Sequence, residues 1–137
     1  MMMRWERFTA GPATPKNERL YVSINSSGLM LINRKMYEEF GAPDAAVLLF
    51  DRKNSVIGLC PAHRELKDAF PIKQRDGYWF IQAAVFCKHY GIRVEKTEQF
   101  VSPIVDGEGI LRLDLTNSVS VAQRNRRTAK QKSKVSN

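Results

Sequence analysis

Cys60, His63, Cys87 and His89 are the only cysteines and histidines in the chain. Together they offer the donor set of a tetrahedral zinc site. The spacing argues against that chemistry. Cys87 and His89 stand two apart in a stretch of helical propensity, and such positions diverge by about 200° around a helix. Small apolar packing is the expectation for both cysteines, with no metal and no cofactor. The sequence contains no nucleophile-plus-base motif, phosphate-binding glycine loop, dinucleotide glycine pattern or paired-carboxylate signature. Acids stand beside bases, as Glu38 and Glu39 do near Arg34 and Lys35, and Asp51 beside Arg52 and Lys53. Such neighbours usually form a solvated face. The expectation is a non-catalytic protein, with no catalytic residue to name.

The remaining chemistry is that of cations facing phosphate. The candidate nucleic-acid contacts in the body are Arg34 and Lys35, Arg52 and Lys53, and Lys73 and Arg75. Gln74 between the last two has the donor and acceptor needed to read a base edge. A further group lies at the end of the chain, Arg124, Arg126, Arg127, Lys130, Lys132 and Lys134, with no acid among the last sixteen residues. The whole chain of 137 residues carries a formal charge of +8, of which this tail holds +6. A nearly neutral body thus carries a basic tail. Tails of this kind neutralise phosphates and speed encounter with nucleic acid.

The elements that must hold these groups follow from pattern. With 43% apolar and 26% charged residues the chain has a globular composition. No apolar run approaches the roughly 20 residues of a membrane span. The first residues carry Arg4, Glu6 and Arg7 rather than a secretory apolar core. Two cysteines are too few for a disulfide framework. A cytoplasmic chain without membrane contact is expected.

Residues 1–19, broken by Gly11, Pro12 and Pro15, read as a flexible arm whose Trp5 and Phe8 are large enough to dock on the body. Leu20, Val22 and Ile24 alternate with Tyr21, Ser23 and Asn25 in the period of a half-buried strand. Ser26-Ser27-Gly28 is a turn, and Leu29–Ile32 an apolar strand. Asn33 caps a short helix with Met36 and Phe40 on one face, ended by Gly41 and Pro43. Ala46–Phe50 and Val56–Leu59 form a hairpin around Asp51. Residues 61–70 place Ala62, Leu66 and Phe70 four apart, which predicts a short connecting helix.

The same order then returns. Ile72 and Gln74 lead to a turn at Asp76-Gly77 and an aromatic strand, Tyr78–Ile81. A helix over Ala83–Tyr90 ends at Gly91, and an extended segment runs from Phe100 to Val105. A turn opened by Asp106 precedes the alternation of Leu111, Leu113 and Leu115. The predicted organisation is an arm (1–19), a first unit (20–62), a connecting segment (63–71), a second unit (72–121) and a disordered basic tail (122–137). Consecutive aromatics in a strand point to opposite faces. One face of Tyr78-Trp79-Phe80 is therefore core, and the other is either a covered interface or a stacking platform for bases.

The run Gly28-Leu-Met-Leu-Ile-Asn-Arg-Lys-Met-Tyr-Glu-Glu-Phe-Gly41, with the hairpin that follows it, resembles the AbrB/MazE/MraZ swapped-hairpin motif. Asn33 and Gln82 replace the family's proline in the two copies. Tyr37 and Phe86 replace a helix arginine. The resemblance implies an α+β fold of two β-hairpin–short helix–β-hairpin units, packed as a pseudo-dimeric, β-barrel-like core. It also implies a DNA-binding transcription regulator with duplex DNA as partner. Homo-oligomerisation, a protein partner in an antitoxin-like interaction module, and single-stranded nucleic-acid binding stand as alternatives.

Overall fold

A computed structural model describes residues 3–6 and 19–121. The expected tail, and most of the expected arm, lie outside these residues. Trp5 is described and is 86% exposed, so it does not dock on the body.

The chain opens with β1 (Val22–Ile24) and β2 (Leu29–Asn33). Their turn is set by Asn25, whose Oδ1 accepts from the Ser27 and Leu29 amides at 3.0 Å each. Gly28 closes it at φ +80°, the glycine position of a three-residue hairpin. Asn33 then caps α1 (Arg34–Glu39), accepting from the Met36 amide at 3.0 Å. The same oxygen accepts from the Tyr21 amide, and Asn33 Nδ2 donates to the Arg19 carbonyl. One side chain therefore starts the helix and pins the segment that enters β1.

β3 (Ala45–Asp51) and β4 (Val56–Ala62) form the longest hairpin. The helix predicted over 61–70 does not form. Pro61 and Ala62 extend β4 instead, beyond its last pairing with a second neighbour, where proline's missing amide matters little. Two successive turns follow, with the Leu66 amide bonded to the His63 carbonyl and Ala69 to Leu66. Leu66 stays 50% exposed. β5 (Phe70–Pro71) then adds to β3.

β6 (Lys73–Arg75) and β7 (Tyr78–Gln82) are joined by Asp76 and Gly77 at φ +54° and +79°. Two positive φ values in a two-residue loop match the twist of the flanking strands. α2 (Ala84–Tyr90) ends at Gly91 in the left-handed conformation. The segment expected to run extended from Phe100 to Val105 is divided. β8 (Glu98–Phe100) belongs to one sheet and β9 (Ile104–Val105) to the other, with a bend at Val101, Ser102 and Pro103 between them. β10 (Leu111–Asp114) and β11 (Ser118–Ser120) complete the chain.

These strands make two antiparallel sheets, one of six in the order β11-β8-β1-β2-β7-β6 and one of five in the order β5-β3-β4-β10-β9. The described residues form no closed barrel. The fold is mixed α+β, mostly strand, with two short helices. The pairing has an internal symmetry. In the first sheet β2 and β7 sit side by side, flanked by β1 and β6; in the second, β4 and β10 are flanked by β3 and β9. Leu31 pairs with Phe80, three residues after Gly28 and Gly77 respectively, so the two hairpins meet about that point. β8 and β11 have no counterpart in the first half.

One apolar core joins the sheets. Val22, Ile24, Met30, Ile32 and Ile81 come from the larger, Ala46, Ile57, Leu59, Leu111 and Leu113 from the smaller, and Met36, Phe40 and Phe86 from the helical segments. β1 is not half-buried as its alternation suggests. Ser23 is only 1% exposed, because β1 lies between β2 and β8 and a small side chain there is flanked by Leu31 and Gln99. No helix among the described residues is long and apolar enough to cross a membrane.

Candidate nucleic-acid interface

Residues directly opposite on antiparallel strands share a face. One row across the six-stranded sheet therefore reads Val119, Gln99, Ser23, Leu31, Phe80, Lys73, and the next contains Asn33, Tyr78 and Arg75. This is the face turned away from the core. Leu31, Tyr78 and Phe80 are half-buried in it, and none belongs to the core cluster. Tyr21 meets Tyr78 edge-on at 6.4 Å. Arg75 lies 5.5 Å over the Phe80 ring, a cation–π distance. All three residues of β6 are exposed on the sheet's edge strand.

The aromatic strand divides as its alternation requires. Trp79 turns inward, stacked on Tyr37 at 4.4 Å with ring planes 12° apart. Tyr37 is held by its hydroxyl, which donates to the Pro43 carbonyl at 2.6 Å. Burial, and then Asp44, push the Tyr37 phenol above its ordinary value. Arg34 stands 5.9 Å from the Trp79 ring on the same side, and Gln74 is paired with Trp79 in register. The β6–β7 edge thus gathers four of the sequence-predicted residues. Lys73 and Arg75 lie on its outer face, with Gln74 and Arg34 behind.

The others are placed elsewhere. Lys35 faces solvent and pairs with Glu39 at 3.8 Å. Arg52 and Lys53 occupy the β3–β4 turn, where Arg52 lies 5.1 Å over Tyr90 of α2. Arg124, Arg126, Arg127, Lys130, Lys132 and Lys134 lie outside the described residues. The last described residue, Val121, donates to the Thr97 carbonyl beside the β11 edge of the same six-stranded sheet.

The outer face of the five-stranded sheet has the opposite character. Its central row is Leu49, Gly58, Arg112, Ile104. An open groove of about 680 Å³ lies over this row, and its walls carry Asp51, Asp106, Glu108 and Asp114. Arg112 Nε meets Asp106 Oδ2 at 3.0 Å. The three aspartates are held below the ordinary carboxylate range by hydrogen bonds. Asn54 supplies these for Asp51, chiefly the Ile110 amide for Asp106, and Thr116 for Asp114. Little in the sequence marks this groove. Its one local signal is the alternation Leu111-Arg112-Leu113-Asp114, which turns Arg112 and Asp114 outward together.

Cys60 is half-buried on β4, and Cys87 lies on the buried side of α2, where desolvation raises its thiol. His89 is on the exposed side of α2 and His63 in the exposed turn after β4. Among the described residues no three His, Cys, Asp or Glu side chains cluster as a metal site would. No family model matches the chain, and neither curated proteins nor solved structures supply a match.

Proposed function

We propose that this chain is a non-catalytic, DNA-binding transcription regulator of the swapped-hairpin, AbrB-like type, acting in the cytoplasm. In this reading its two units form a pseudo-dimer within one chain. The mirrored strand order of the two sheets supports the architecture. One observation carries the function. The exposed edge strand β6 presents Lys73 and Arg75 beside aromatic rings, with Gln74 and Arg34 directly behind. An exposed basic edge strand can follow the phosphate backbone, and β6 with the Asp76-Gly77 turn is such an edge, β7 being paired on its other side with β2. Lys73 and Arg75 serve phosphates, Gln74 a base edge, and the basic tail further phosphates along the backbone.

The test is a titration of the full chain with duplex DNA, single strands and RNA at two salt concentrations. Duplex binding that weakens with salt is expected. Each phosphate contact contributes about 0.9 to the log–log slope, so a chain ending at Val121 should lose roughly 3 from it if three or four tail contacts are made. Sequence preference should survive that truncation, because phosphate contacts position without specifying. Lys73→Glu with Arg75→Glu should abolish most of what remains. Absence of binding at low salt would replace this reading with that of a protein-interaction module. Tighter binding to single strands than to duplex would favour a stacking role for the outward rings of Tyr21, Tyr78 and Phe80.

A further inference from the structure

We propose that the groove on the five-stranded sheet is an internal dock for the chain's own basic segment, residues 122–137, occupied when no nucleic acid is bound. This goes beyond DNA binding and stands or falls separately from it.

Three observations meet here. The first is charge. Asp51, Asp106, Glu108 and Asp114 face a groove that holds one cation, Arg112, already engaged with Asp106. The segment 122–137 holds six cations and no acid. The second is the floor. Leu49 is 42% exposed and Ile104 is 57% exposed, and the Ile110 side chain packs close over the buried Gly58 between them. Lysine and arginine stems lie well on such a surface while their heads reach carboxylates at the rim. The segment's own composition, with Val135 as its one large apolar residue, suits stem-and-head contact rather than burial.

The third is reach. Asn117 lines the groove, and Val121 follows four residues later. Returning over those four residues takes at most about 14 Å of extended chain, whereas sixteen residues span up to about 55 Å. A tether this short gives an effective concentration in the millimolar range, so weak individual contacts suffice. The aspartates stay ionised through mildly acidic conditions because their carboxylates are already hydrogen-bonded. Tail and nucleic acid then compete. Phosphate draws the segment out of the groove, and the groove draws it back from weakly bound, non-specific sites.

Amide chemical shifts of the full chain and of a chain ending at Val121 test the proposal. Removal of the tail should move the signals of Leu49, Gly58, Ile104 and Arg112 while leaving those of Leu31 and Phe80 in place. A peptide of residues 122–137 added to the shortened chain should restore them, and raised salt should release it. Leu49→Lys and Glu108→Lys alter exposed positions that make no side-chain hydrogen bond among the described residues. Each should weaken the peptide roughly fivefold. Unmoved groove signals on truncation would overturn the proposal. So would peptide shifts that map to the six-stranded sheet. Groove shifts in the full chain that vanish on dilution would also overturn it, since they would assign the dock to a second copy's tail.

Discussion

Gly28 and Gly77 stand at corresponding turns of the two halves, each just before the strand that crosses the centre of the six-stranded sheet. Both have positive φ, +80° and +79°. Their surroundings differ. A Cβ on Gly28 would fall 2.6 Å from the Ala84 Cα, whereas one on Gly77 would meet nothing within 4 Å. The Gly28 carbonyl also accepts from the Ala83 amide at 2.8 Å. The first hairpin is therefore pressed against the start of α2, and this bond extends the β2–β7 ladder by one residue. Ala83 has no side chain able to cap α2, while α1 has its own cap in Asn33. The two hairpins meet in one sheet but are held by different means. The first hairpin buries its turn against α2, and the second leaves its turn open to solvent.

Exchange of each glycine for alanine gives the strongest test of this contrast. Gly28→Ala combines left-handed strain with a backbone clash and should cost about 3 kcal/mol. Gly77→Ala carries the strain alone and should cost about 1–2 kcal/mol. Denaturant unfolding of both variants reads the difference, and equal losses would break the comparison. Asn33→Ala comes next, at about 2 kcal/mol, because the Met36 and Tyr21 amides both lose an acceptor in a site that is 7% exposed. Hydrogen exchange should report faster opening of α1 and of the segment entering β1, with α2 unaffected.

A smaller effect separates the two turns opened by aspartate. Asp106 accepts from two amides and from Arg112, whereas Asp51 accepts chiefly from Asn54. Both carboxyls are depressed in the folded state. Their stabilisation is therefore complete above the ordinary aspartate value, near ~3.9. It is lost as pH falls through that value to the folded one. Asp106→Ala should flatten the acid limb of a melting-temperature profile more than Asp51→Ala does. The smallest effect belongs to Lys35→Ala. The Lys35–Glu39 pair is about half exposed at both ends, and its loss should change stability by less than about 0.5 kcal/mol.

Much of this was legible before any fold was known, and the reasons are local. Asn33 caps because an amide oxygen reaches the first turn of the helix that follows it. Asp76-Gly77 turns because both residues tolerate positive φ. The repeated succession of turn, strand, helix and glycine needed no long-range partner to be seen. The failures were of another kind. Residues 61–70 have a helical spacing of apolar side chains, but a helix there would have had nothing to pack against, and Pro61 found a strand partner in Ala46. β5, β8, β9 and β11 are two or three residues long. Such strands have no periodicity of their own and exist because a neighbouring edge accepts them.

The same division runs through the candidate site. Alternation along Tyr78-Trp79-Phe80 required that Trp79 oppose its neighbours, and local chemistry went that far. Which side became core depended on Tyr37 arriving from α1 to stack on Trp79, a contact between residues far apart in the chain. The charge count likewise located a nearly neutral body and a basic tail. It could not distribute the body's charges between surfaces. Pairing β4 with β10 set Gly58 beside Arg112 and brought acidic turns to the rim of one sheet, while pairing β6 with β7 left Lys73 and Arg75 on the other. Side-chain type and spacing act over a few residues. Strand partnership acts across the whole chain, and it gave this molecule two outer faces of unlike charge.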